Sequence, residues 1–154
     1  MRTYFEVQAD PSIGRRLRYI TEKQEREMLL AMLRAGAKPI KDAAVQNAPT
    51  GKRTYVRKSK KYGVVTVTPG NLKAAISVVM RKDKTTGDPL VLVRVKQGPK
   101  EAHDAWYGRF VEWGTSRMGA RPFMRPALVE KADEAINAAA AAGTLWIEQK
   151  VGRA

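Results

Sequence analysis

Cysteine is absent from the 154 residues, and histidine occurs once, at His103. The first absence excludes disulfides, thiolate nucleophiles and cysteine-ligated metals. The second leaves a histidine metal centre or a Ser-His-Asp triad without its usual supply of ligands and bases. Long apolar runs are missing as well. No stretch approaches the roughly 20 residues that cross a bilayer, and the alanine run at 138–142 is short and weakly apolar. The opening "MRTYFEVQADPSIG" has no secretory apolar core, so a soluble protein without membrane contact is expected. Acids are scarce and scattered: after a glutamate group near residue 25 come Asp83, Asp88, Glu101, Asp104 and Glu112. None is spaced like the carboxylate clusters that hold catalytic cations. "TPGNLKAA", residues 68–75, lacks the pattern of a phosphate-binding loop. No metal, cofactor or catalytic residue is therefore expected.

What is present is positive charge and ordinary core-forming material. Lysine and arginine number 29 against 15 acids, a formal net charge of +14. That excess favours phosphate polymers or an acidic protein surface, although a basic solvated face with no specific ligand has the same composition. A hydrophobic fraction of 44% and no linker or repeat point to one folded domain over 1–154.

Periodicity predicts a first helix over 21–47. Thr21 is placed to cap it, and Met28, Leu29, Met32, Leu33, Ile40 and Ala44 recur at helical spacing as a buried stripe. Gly36 and Pro39 predict a kink or break, and Pro49 and Gly51 a stop. "YGVVTVT", 62–68, reads as a strand, Pro69-Gly70-Asn71 as a turn, and "LKAAISVVMRK" as a helical lead-in followed by a strand over about 76–81. "PLVLVRVK", 89–96, is its antiparallel partner, with Val91, Val93 and Val95 sharing one face. A second helix begins near Asp104 and ends before Gly114, aligning Trp106, Phe110 and Trp113 at i, i+4 and i+7. "TSRMGA" is a loop. Pro122 or Pro126 starts a third helix that carries Leu128, Ala132 and Ile136 inward and reaches Gly143. A short amphipathic tail occupies 144–154. The fold class is α+β: a small, mainly antiparallel sheet packed by a long N-terminal helix and a C-terminal helix.

Two features invite a functional reading. Glu112, between Val111 and Trp113, is the one acid set among aromatics. As a catalytic acid it lacks a partner. As a structural group it has Arg109, Arg121 or Arg125 for an ion pair, or the loop amides around Thr115, where Gly114 and Thr115 form a tight reversal. The run "KRTYVRKSKK", 52–61, carries six basic residues in ten and no acid: Lys52, Arg53, Arg57, Lys58, Lys60 and Lys61. Read as a loop leading into a strand, with Tyr55 available to stack, it suits backbone-directed contact with double-stranded DNA or an acidic partner. A solvated loop is the plainer alternative.

The string "YGRFVEWGTSRMGARPFMRPAL" resembles the signature of the siphophage tail-completion family, the minor tail protein Z-like neck proteins. Tyr107, Phe110, Val111, Glu112, Trp113, Gly114 and Thr115 match its aromatic-to-Gly-Thr segment, and Pro122, Phe123, Pro126 and Ala127 its Pro-Phe-x-x-Pro-Ala segment. "AVQNAPTG", 44–51, is similar to the end of the family's first helix, and "NLKAAI", 71–76, to its Leu-Arg-x-Ser-Ile segment. Residues 52–70 depart from the pattern, in which Thr-Gly nearly abuts Leu-Arg. They form an inserted basic arm that could be a hairpin projecting into the neck channel or onto a neighbouring ring. The resemblance implies a virion protein made in the bacterial host cytoplasm and located in the tail or neck. It implies a ring homo-oligomer, commonly a hexamer, that abuts a tail-terminator or connector protein and makes the tail competent for head joining. On this reading the aromatic helix and the Pro-Phe loop, including Trp113 and Phe123, anchor the subunit core and part of its interface.

Overall fold

The computed structural model describes residues 21–59, 63–97 and 105–150. His103, Asp104, Lys60, Lys61 and Tyr62, all singled out above, lie outside the described residues.

The first helix among the described residues, α1, spans Glu22–Asn47. Thr21 caps it reciprocally: its Oγ1 accepts from the Gln24 amide at 3.4 Å, and its own amide donates to Gln24 Oε1 at 2.9 Å. Two otherwise unpaired backbone donors are satisfied at once. The expected break at Pro39 does not occur; α1 runs unbroken through it, forgoing one hydrogen bond, that to the Ala35 carbonyl. Ala48, in extended conformation before Pro49, ends the helix as pre-proline sterics dictate. The inward face is made of smaller residues than expected. Ala37, Ala43 and Ala44 are buried, Met28, Met32, Leu33 and Ile40 are half-buried, and Leu29 is exposed.

Two antiparallel pairs replace the single small sheet. β1 (Tyr55–Ser59) pairs with β2 (Gly63–Val67), Val56 opposite Thr66 and Lys58 opposite Val64. The basic run is thus half strand rather than loop, and the inserted segment is a hairpin. Gly70, at φ +83, then turns the chain into a one-turn helix, α2 (Asn71–Ala75). β3 (Ile76–Lys82) and β4 (Pro89–Val95) follow in antiparallel register, Val78 opposite Val93. The valines of β4 are half-buried while Leu90 and Leu92 stay exposed, the alternation read from the sequence.

Three helices complete the described residues: α3 (Gly108–Trp113), α4 (Met124–Glu130) and α5 (Ala132–Lys150). The predicted third helix is therefore two, divided at Lys131. The second continues through Gly143 and takes in most of the segment expected to be a separate tail. Gly143 is tolerated because α5 lies close along α1: a Cβ there would sit 3.0 Å from Met32 Sδ. Gly36 of α1 meets the other end of the contact, where a Cβ would come 2.9 Å from the Ala135 carbonyl oxygen. Leu128 and Ile136, expected in the core, are more than half exposed; Ala135, Gly143 and Ile147 face inward instead.

The core gathers Ala43, Ala44 and Ala48 of α1 and its cap, Leu72 and Ala75 of α2, Ile76, Ala105, Phe123 and Ala127. Among the described residues Phe123 is the one large side chain that is fully buried. This is a long N-terminal helix and a C-terminal helix around small antiparallel elements, an α+β fold with a thin core.

Candidate functional site

The corner between α3 and α4 is built by glycine, proline and one carboxylate. Gly108 opens α3 where a Cβ would meet Val95 and Leu72 at 3.1 and 3.2 Å, so the helix can lie directly on β4 and α2. Six positions later, at Gly114, the helix has ended. Gly114 takes φ +76 and ψ −178, its amide donating to the Phe110 carbonyl at 2.8 Å. An added Cβ would stand 2.8 Å from the Ala120 nitrogen and 2.9 Å from the Met118 oxygen. Both conformation and space therefore require glycine.

Beyond it Thr115 and Met118 exchange backbone hydrogen bonds at 2.8 and 3.2 Å, and Thr115 Oγ1 accepts from the Arg117 amide. The chain returns beside α3 when the Arg121 amide donates to the Val111 carbonyl at 2.8 Å. That return carries the start of α4 onto Glu112. Its Oε2 accepts from the amides of Phe123 and Met124 at 2.7 and 3.0 Å, and its Oε1 from the amide of Arg125 at 3.1 Å.

Phe123, at the N-cap of α4, brings no capping side chain. Pro126, in the first turn, has no N–H to satisfy. Glu112 serves the three remaining donors from a different helix, at the positive end of the α4 dipole. Pro122 precedes this cap at the surface.

Arg125 closes the arrangement. Its Nε lies 3.3 Å from Glu112 Oε1, its Nη2 donates to the Glu112 carbonyl at 3.4 Å, and its guanidinium carbon sits 4.2 Å from the Trp113 ring centroid. Glu112 is 6% exposed. Burial acts to raise its pKa, but the three amides and the Arg125 side chain outweigh it and hold the carboxyl below its ordinary value. A carboxylate so engaged stays ionised and has neither a free proton nor a free lone-pair direction to offer a substrate.

The structure thus selects among the partners read from the sequence. Arg125 is the ion-pair partner; Arg109 lies over the Phe110 ring at 4.8 Å, and Arg121 contributes its amide to Val111. The amides held by Glu112 belong to Phe123, Met124 and Arg125, not to the neighbourhood of Thr115. Phe123 is the core anchor expected of it, at 0% exposure, whereas Trp113 is 68% exposed and is no core residue.

The i, i+4, i+7 aromatic face fails because α3 starts at Gly108, leaving Trp106 in the preceding turn, edge-on to Phe110. The inward positions of the helix go to Gly108 and Glu112. Tyr107 stands at the α3 N-cap, half-buried against the core.

The base of the basic hairpin borders a cleft that it shares with Tyr107, Val111 and Arg121 of this corner. Lys52, Arg53, Tyr55 and Lys58 are exposed, and Arg57 lies in β1 opposite Val65.

A second feature was not foreseen. A groove of about 490 Å³ runs between α1, β4, α4 and α5, lined by Met32, Ile40, Leu92, Leu128 and Ile136, with Arg125 at its edge. Its sequence signal is the pair Leu128 and Ile136, whose spacing suggests a core stripe whether the helix face is covered or bare.

Comparison with known protein families decides the class. Residues 12–114 match the model of the family described as "Bacteriophage HK97-gp10, putative tail-component". The chain belongs to this HK97-gp10-like family. It is thereby a phage tail component, in keeping with the siphophage neck resemblance. The match includes the inserted hairpin, α3 and Glu112 and ends at Gly114, so the α4 amides that Glu112 holds lie beyond it. No curated protein and no solved structure matches the chain.

Proposed function

We propose that this tail component is a non-enzymatic tail-completion protein: a single domain over 1–154 that assembles as a homomeric ring, commonly a hexamer, at the head-proximal end of the tail. There it abuts a tail-terminator or connector protein and makes the tail competent for head joining. One observation carries the reading. Among the described residues the single buried carboxylate is spent on holding two helices together, while Trp113, Leu128, Val129, Ile136 and Leu145 are left exposed around a thin core. Apolar surface left bare on that scale fits a protein completed by its neighbours, and a heterologous contact repeated around an axis closes a ring.

Complementation tests it. Tails assembled without the protein should join filled heads only when it is supplied, and should join them equally well with His103→Asn. A joining defect in that variant, with the ring intact, would instead favour catalysis.

A second reading, a basic nucleic-acid-binding protein that touches the DNA end, draws on the hairpin, where Arg53, Tyr55 and Lys58 are exposed together. If about six phosphates were neutralised, affinity for duplex DNA would fall roughly 40-fold for each doubling of salt. Binding that is flat across a salt titration would remove this reading.

A further inference from the structure

The cleft between the hairpin base and the α3–α4 corner encloses about 300 Å³ over a floor of Val67 and Leu72, both buried. Arg53 and Tyr55 line it from the hairpin side, Tyr107 and Arg121 from the corner. Tyr55 pairs with Val67 across the hairpin and shares its face, yet remains 47% exposed. On the other wall the Arg121 backbone is fixed by its amide, which donates to the Val111 carbonyl at 2.8 Å.

The charge in this cleft has one sign. Among the described residues no carboxylate lines it, and neither Arg53 nor Arg121 is in an ion pair. A guanidinium presents planar, paired donors that match phosphate or carboxylate oxygens, so two of them, unneutralised, suit an anion. Two phenol rings above an apolar floor suit a flat ring in the same ligand. A nucleotide carries both groups. A duplex keeps its bases stacked inside, whereas an unpaired strand offers base face and phosphate together. Positive charge also continues past the cleft, since Lys52 and Lys58 are exposed on the same arm. Successive phosphates of a backbone use such a continuation, and a lone carboxylate side chain does not.

We infer that this cleft binds single-stranded nucleic acid: one unstacked base lies against Tyr55 and Tyr107, while the adjoining phosphates take the Arg53 and Arg121 guanidiniums. The inference rests on the nucleic-acid reading and narrows it to a single strand; it is independent of ring assembly.

Fluorescence anisotropy on the full chain tests this with a labelled oligothymidine of about 12 nucleotides and a duplex of equal length. At matched salt the single strand should bind about tenfold tighter than the duplex, or better, because only it can stack. Tyr55→Leu, which keeps an apolar side chain without a stacking face, should weaken single-strand binding about 5- to 150-fold and leave duplex binding unchanged. Arg53→Gln with Arg121→Gln should flatten the slope of log affinity against log salt by about 1.4, the share of two single-strand phosphates. Lys23→Gln with Lys84→Gln removes equal charge outside the cleft and should change that slope little. All five side chains are exposed, so each variant should melt like the unaltered chain.

Equal affinity for the two probes, or a Tyr55→Leu variant that binds the single strand like the unaltered chain, overturns the inference and leaves charge-driven nucleic-acid binding in place. Polyglutamate that displaces the labelled strand at lower concentration than unlabelled oligothymidine also overturns it, and assigns the cleft to an acidic protein segment. Binding to neither probe at low salt removes the nucleic-acid reading itself and the inference with it.

Discussion

Glu112 and Arg125, thirteen residues apart, are joined through side chain and backbone together. The Arg125 amide and guanidinium both donate to the Glu112 carboxylate, and the guanidinium also reaches the Glu112 carbonyl. The pair converts the end of one short helix into the start of another. Neither helix is long enough to persist in isolation, so the corner depends on this junction and on Phe123 beneath it.

Replacing Glu112 with glutamine keeps the shape but removes the charge and turns one acceptor into a donor facing backbone N–H groups. The loss should be about 2–4 kcal/mol, the scale for unsatisfied buried donors and a broken buried ion pair. Chemical denaturation of the isolated chain measures it. A change within about 0.5 kcal/mol would mean the amides find other partners.

The same carboxyl governs part of the acid response. Its folded-state pKa lies below the ordinary glutamate value of 4.5, so its contribution is fully present above pH 4.5 and is lost as pH falls through the depressed folded value. Asp83, whose carboxyl accepts from the Thr85 and Thr86 amides and is likewise lowered, acts in the same direction. The difference between unaltered protein and Glu112→Gln isolates Glu112. Thermal melts from pH 7 to pH 2.5 should converge as the medium becomes acidic; a constant gap across that range would contradict the assignment.

Two aromatics quoted together in the signature should separate in stability. Phe123→Ala, at a fully buried position, should cost about 3–5 kcal/mol. Trp113→Ala, at 68% exposure, should cost about 1 kcal/mol or less, most of it from the stacked Arg125. Trp113 should instead matter for assembly. Equal losses at the two positions in the isolated subunit would contradict the placement of Trp113.

The glycines of the α1–α5 contact should also behave differently. Alanine gains about 1 kcal/mol of helix propensity over glycine. At Gly143 the obstacle is the flexible Met32 side chain, whereas at Gly36 it is the backbone oxygen of Ala135. Gly143→Ala should therefore lie within about 1 kcal/mol of the unaltered chain, and Gly36→Ala should lose about 1–3 kcal/mol as the helices are pushed apart. Thermal denaturation of the two variants side by side distinguishes them.

Local signals were legible where the physics is local. The Thr21 cap, the stop at Pro49, the Gly70 turn, the β3–β4 alternation and Gly114 as the end of α3 all depend on residues a few positions apart. The features that mattered most for the site do not. Glu112 could be matched with three arginines, but which amides it would hold depended on where the 115–122 loop returned the chain. The aromatic period around Trp113 suggested a buried face because a six-residue helix is too short for periodicity to tell its faces apart. Leu128 and Ile136 gave the spacing of a core stripe because an exposed apolar face has the same spacing as a covered one. Pro39 signals an interruption and Gly143 a helix end, yet α1 and α5 continue through them, packed against one another.

The most direct measurement is native mass spectrometry of the full chain, alone and mixed with tail-tube and connector proteins. A closed ring of single stoichiometry that binds the tail end is the predicted result. A strict monomer under all of these conditions would contradict the account.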